Sequence, residues 1–331
     1  MSTRLVPVLT IAASLLCVAA LDAQQAASPA PKGKFTAPRT PWGDPDLQGS
    51  FTNRDENGTP FEQPADLAGK KMSDFGEKEM AALRKSRQAR AQAGAGRIGG
   101  SEEEDTGAGP SHWYEHLDAN NAQPWLVSEP ADGKVPALTA EARQRATARQ
   151  AARRGRGPAD SWIDRSLYDR CITRGIPGSM MPAIYGNAYD ITQGPGFVAI
   201  RYEMIHETRV IPLDNRKHLP ASMKAYAGDA RAHFEGDTLV IETTNFNEAN
   251  AYRGASANLK MTERFTLVGP DTIKWEARFE DPSTWERPWA FTMPLKRDTE
   301  SGGLFEYACH EGNRGLANIL SAARAEEKAA K

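Results

Sequence analysis

One glutamate stands in a row where an ionisable group is costly. In a strand over Leu259–Val268 the side chains alternate, so Leu259, Met261, Glu263, Phe265 and Leu267 share a face. A buried carboxylate must be paired, or its pKa must rise. Paired with an inward Arg, Glu263 is structural; in a cavity it is a general acid or base. A strand from Phe197 to Pro212 repeats the pattern. Val198, Ile200, Tyr202, Met204 and His206 form an apolar row ending in an imidazole, while Arg201, Glu203, Glu207 and Arg209 fall on the opposite face. A lone His there is more often a satisfied core group than a catalyst. A strand over Leu304–Cys309 puts Phe305, Tyr307, Cys309 and Glu311 in one row and His310 in the other, where the chain leaves the sheet. Converging in one lumen, Glu263, His206, Tyr307 and His310 would suit proton abstraction and return on a small ligand, with a neutral imidazole as base and a carboxyl or phenol as donor. Tyr202, Trp275, Trp289, Arg209 and Glu311 are the expected ligand contacts.

Metal binding is the competing use of these groups. His206, His218, His233 and His310 offer nitrogens, with Glu263 or Asp229 as oxygen ligands. Their spacing matches no zinc motif, so neither metal nor cofactor is expected. There is no Gly-x-Ser-x-Gly elbow, phosphate loop, dinucleotide fingerprint or haem attachment site. The chain has 331 residues, 41 basic and 43 acidic, a net charge of −2. That balance argues against gripping a polyanion. A helix from Ala140 to about Arg154 carries Arg143, Arg145, Arg149, Arg153 and Arg154. It reads as a solvated face, with no nucleic-acid partner expected.

The elements that must position these groups divide unevenly. Residues 1–23 read as a signal peptide, with Arg4 before an apolar run too short for a comfortable membrane span. A periplasmic or secreted setting follows, with no stable membrane insertion after cleavage. Cys17 lies in that segment, leaving Cys171 and Cys309 to pair as one disulfide or remain two buried thiols. Residues 24–159 form an extended region. It holds a turn with an aromatic anchor at 41–49, a helix over Asp74–Arg90, a loop at 94–111 and a short strand near Trp125. Residues 160–331 hold six to eight antiparallel strands and a C-terminal helix. The fold expected is an antiparallel β-barrel resembling the lipocalin group, with a β-sandwich as the alternative.

Several motifs carry a resemblance. Pro41-Trp-Gly-Asp-Pro-Asp-Leu-Gln-Gly49, Asp169-Arg-Cys-Ile-Thr-Arg-Gly175, Arg209-Val-Ile-Pro-Leu-Asp214, the run from Phe234 to Phe246 and Tyr307-Ala-Cys-His-Glu-Gly-Asn313 resemble a family of exported bacterial proteins of no established activity. The resemblance spans most of the chain after the signal, though Phe234 and Ser50-Phe51 stand where a Trp is expected. It implies an exported setting and transfers no catalytic residue. The functional expectation is therefore a cofactor-independent lyase or isomerase of a small apolar or aromatic molecule. A small-ligand binding protein and an envelope interaction module are the alternatives.

Overall fold

Two adjoining hairpins set the wall on which Glu263 stands. In β8 (Lys260–Gly269) and β9 (Thr272–Glu280) one side chain in two is buried. The ladder pairs Met261 with Phe279, Glu263 with Ala277 and Phe265 with Trp275, so these residues share the inner face. β10 (Trp289–Arg297) continues that wall, with Trp289 opposite Phe279 and Phe291 opposite Ala277. On the other side of β8 lie β7 (Thr238–Thr244) and β6 (Asp229–Glu235). A second meander consists of β3 (Ala188–Gly194), β4 (Phe197–Tyr202) and β5 (Thr208–Pro212).

β1 (Gly49–Thr52) joins the two meanders, paired with β3 along one edge and with the end of β10 along the other. The short β2 (Val127–Glu129) takes the remaining part of that edge of β10. The order β5-β4-β3-β1-β10-β9-β8-β7-β6 curls until β5 lies beside β6, closing a nine-stranded antiparallel barrel without a ladder at the seam. The expected barrel is thus what the chain forms, and the sandwich is not. The structure, a computed structural model, describes residues 35–98, 115, 118–309 and 312–329, and from Thr36 onward these make one compact unit. The expected signal segment lies outside the described residues.

Three α-helices lie among the described residues. α1 (Glu77–Ile98) is anchored by Arg87, whose guanidinium donates to the Asn121 side chain and to the carbonyls of Gln123 and Pro124. α2 (Ala140–Ala152) starts at Thr139, whose hydroxyl accepts from the Ala142 N–H as an N-cap. α3 (Arg314–Ala329) starts at Asn313, which accepts from the Leu316 N–H.

Three expectations are corrected. The run from Phe197 to Pro212 is two strands, because the chain reverses at Glu203–Glu207 with Ile205 at φ +60°. The Tyr202 N–H donates to the Glu207 carbonyl and closes that turn. Leu304–Cys309 is no strand; Cys309 is tied covalently to Cys171, and Phe305 faces solvent. In the turn at 41–49 the buried anchor is Leu47, not the exposed Trp42, and the Leu47 N–H donates to Gln193.

Glu56 fastens the N-terminal segment to residues 119–122. Its carboxylate accepts from the Ala122 N–H and the Thr59 hydroxyl, each at 2.8 Å. Burial outweighs these bonds and pushes its pKa up to about 7. Burial and the nearby Glu115 likewise raise Glu203 to about 7. A folded-state pKa above the unfolded one means stability is fullest below the unfolded value and is lost as pH rises through 7. Calorimetry should therefore give a higher melting temperature at pH 5.5 than at pH 8. Glu56→Gln should shrink that difference; an unchanged difference in the variant would remove Glu56 as its source.

Candidate functional site

One buried ion pair stands inside the barrel. Glu263 is fully buried, between Ile241 of β7 and the small Ala277 of β9. Its partner comes from the far side of the barrel. Arg209, on β5, donates through Nη2 to Glu263 Oε2 at 2.7 Å, with the two side chains 4% and 0% exposed. The same guanidinium reaches the Tyr202 hydroxyl at 3.2 Å and the Thr243 hydroxyl at 3.4 Å. Arg209 gets inside because the turn at Glu203–Glu207 resets the alternation. Counted as one continuous strand it belongs to the outer row; paired with Ile200 across the hairpin it belongs to the inner one.

Electrostatics makes this cluster an anchor. Burial opposes the charge of Arg209, yet the adjacent Glu263 and the Tyr202 hydroxyl outweigh it and hold the guanidinium pKa above its ordinary value. Burial also raises the Tyr202 phenol, which makes it a poor acid. The guanidinium occupies one carboxylate oxygen, and the other, Glu263 Oε1, is buried with no hydrogen-bond partner among the described residues. Arg209 Nε and the indole nitrogens of Trp275 and Trp289 share that condition. One acceptor and three donors are thus sealed inside the barrel, where buried polar atoms ordinarily have partners.

The wall that carries Glu263 is aromatic. Phe279 stacks on Trp289 at 4.3 Å between centroids, Phe265 stacks on Trp275 at 6.1 Å, and Phe291 meets Trp275 edge-on at 5.1 Å. From outside the strands, Tyr252 stacks on Phe279 at 5.3 Å and on Trp289 at 6.4 Å. Phe61 abuts Trp289 and Phe291, under the guanidinium of Arg253. Arg253 has φ +53°, a left-handed backbone uncommon for its type.

Of the residues singled out from the sequence, the structure brings Glu263, Arg209 and Tyr202 together, with Trp275 and Trp289 on the wall that carries Glu263. Tyr307 is engaged elsewhere: its hydroxyl is 2.9 Å from that of Tyr168, beside the disulfide. Burial and this contact raise the Tyr168 phenol. His206 falls in the turn at Met204–His206, and its side chain lies outside what the structure describes. His310 and Glu311 lie outside the described residues. His218 Nδ1 is 2.9 Å from Asp229, which Arg231 also contacts. The Leu219 N–H, His218 and Arg231 overcome burial and hold Asp229 below the usual carboxylate range. Among the described residues no group of three or more His, Cys, Asp or Glu could hold a metal ion. Thr243, Tyr252 and Phe61 were not anticipated. The period of β7 would have found Thr243; Tyr252 and Phe61 stand in irregular segments with no period to read.

No protein-family model and no curated protein matches the chain. Among solved structures it is similar to two crystal structures of the fluorescent protein UnaG. With the N57Q mutant it shares 12% identity over 34% of this chain and 72% of the other, at a TM-score of 0.22. With the N57A mutant it shares 13% identity over 40% and 86%, at a TM-score of 0.23. Likenesses this slight identify no relative, so the function has to be read from the barrel interior itself.

Proposed function

We propose that this chain is an exported binding protein for a small, partly aromatic molecule held inside the barrel. The sealed set of one acceptor and three donors carries the reading. A ligand with one N–H or O–H group and one acceptor would satisfy Glu263 Oε1 and an indole N–H, while its ring packed against Trp275 and Phe291. Tyr252 and Phe61 pack against one end of the aromatic wall. The Cys171–Cys309 disulfide supports an oxidising compartment, as does the resemblance to exported bacterial proteins. No helix among the described residues is long and apolar enough to cross a membrane.

Binding fits this geometry better than acid–base turnover. A lyase or isomerase needs a proton donor beside its base, and here Glu263 meets a guanidinium and a phenol whose pKa is raised. Benzamide, 2-naphthol, indole and naphthalene form a suitable panel, followed by tryptophan emission and melting temperature. The first three should quench emission and raise the melting temperature. Naphthalene, with no hydrogen-bonding group, should do so least. Glu263→Gln should weaken the best binder about tenfold, or about 1.4 kcal/mol. Recovery of that compound unchanged after long incubation supports binding, and a product would establish the enzyme instead. A panel without effect, with ordered water on all four atoms in a high-resolution structure, would leave the interaction-module reading.

A further inference from the structure

A cleft of about 800 Å³ lies outside the barrel, between the last turns of α2, residues 163–170 and the segment 248–254. Four arginines line it: Arg149, Arg153, Arg165 and Arg170. Among the described residues, carboxylates answer two of them. Arg149 is 3.7 Å from Glu248, and Arg165 is 3.2 Å from Asp169. Arg170 places its guanidinium over the Trp162 ring, 4.5 Å from the centroid. The Arg153 side chain has no hydrogen bond or ion pair among the described residues, and nearby Asp164 is gripped bidentately by Arg156. Arg165 Nε is buried without a hydrogen-bond partner among the described residues. Among the described residues two positive charges are therefore in surplus, and one wall is apolar, with Ile163 53% exposed and Leu167 and Ala251 beside it.

We infer that this cleft binds a small organic phosphate monoester, with its dianion on the arginines and its apolar group against Ile163 and Leu167. Guanidinium forks match phosphate oxygens bidentately, and a monoester carries close to two negative charges near neutral pH. The volume suits a small molecule, not a polymer. The site is separate from the barrel interior and does not depend on it. Of the five arginines that make α2 read as a solvated face, two belong to this cleft; Arg143 and Arg145 are spent on Leu138, Glu141 and the segment 283–284.

Titration calorimetry with phenyl phosphate, inorganic phosphate and phenol at fixed ionic strength tests this on the whole protein. Phenyl phosphate should bind at least tenfold more tightly than inorganic phosphate, phenol should not bind, and added sodium chloride should weaken the complex. Arg153→Gln should cost at least tenfold, while Arg154→Gln, the control for general surface charge, should change affinity less than twofold. Equal binding of phenyl phosphate and phenol would overturn the inference, as would equal losses in Arg153→Gln and Arg154→Gln.

Discussion

Arg209→Met should destabilise the barrel by about 3–5 kcal/mol, because it strips a fully buried carboxylate of its counter-ion. The sign is decided by desolvation. Moving Glu263 out of water is costly, and the guanidinium with its three contacts offsets that cost. Without it the carboxylate must protonate or draw in water. An exposed pair such as Arg287–Asp132 contributes about 0–1 kcal/mol, so Arg287→Met should be nearly silent. The double variant Arg209→Met/Glu263→Leu should recover most of the loss, since an apolar pair in this setting is often neutral or better. Urea melts of the three variants check this. A single variant costing under about 1 kcal/mol, or a double no more stable than the single, would mean the pair is not the anchor described.

The second large effect is expected at the disulfide. Cys171 and Cys309 are 138 residues apart, and the loop they close contains strands β3 to β10. In the chain-entropy model a loop of that length is worth about 5 kcal/mol, and measured values more often fall near 2–4. Cys171→Ser/Cys309→Ser should lower the urea midpoint accordingly and release residues 304–309 from the Tyr168 contact. Limited proteolysis should then cut that tail while the strands persist. Equal midpoints for the native protein with and without reductant, and for the double variant, would show that the bridge does not constrain the chain.

Period-two alternation made β7, β8, β9 and β10 legible in the sequence, and with them the inward position of Glu263. It also misled, because alternation is a local count and a turn resets it. Nothing in Tyr202-Glu-Met-Ile-His-Glu207 announces a reversal: it contains neither Gly nor Pro, and the chain reverses with Ile205 in a left-handed conformation. Counted as one strand, the run puts Arg209 on the outer face, whereas across the hairpin it points inward and pairs with Glu263. Tyr307 was misjudged for a different reason. The alternation in Leu304–Cys309 is real, but a disulfide and a tyrosine contact, not a ladder, hold that segment. β1, β3 and β6 went unread because Gly, Asp, Gln and Arg dilute their apolar rows.

The position of β1 has a consequence for the order in which the molecule can be assembled. This strand is made early, yet it pairs with Lys296 and Arg297, so its partner is the last barrel strand to be synthesised. The contact with the greatest separation along the barrel is thus the one that joins its two meanders. Loop-closure entropy makes such a contact slow to form and late. A nascent chain therefore keeps an open, incomplete sheet until β10 is available to close it.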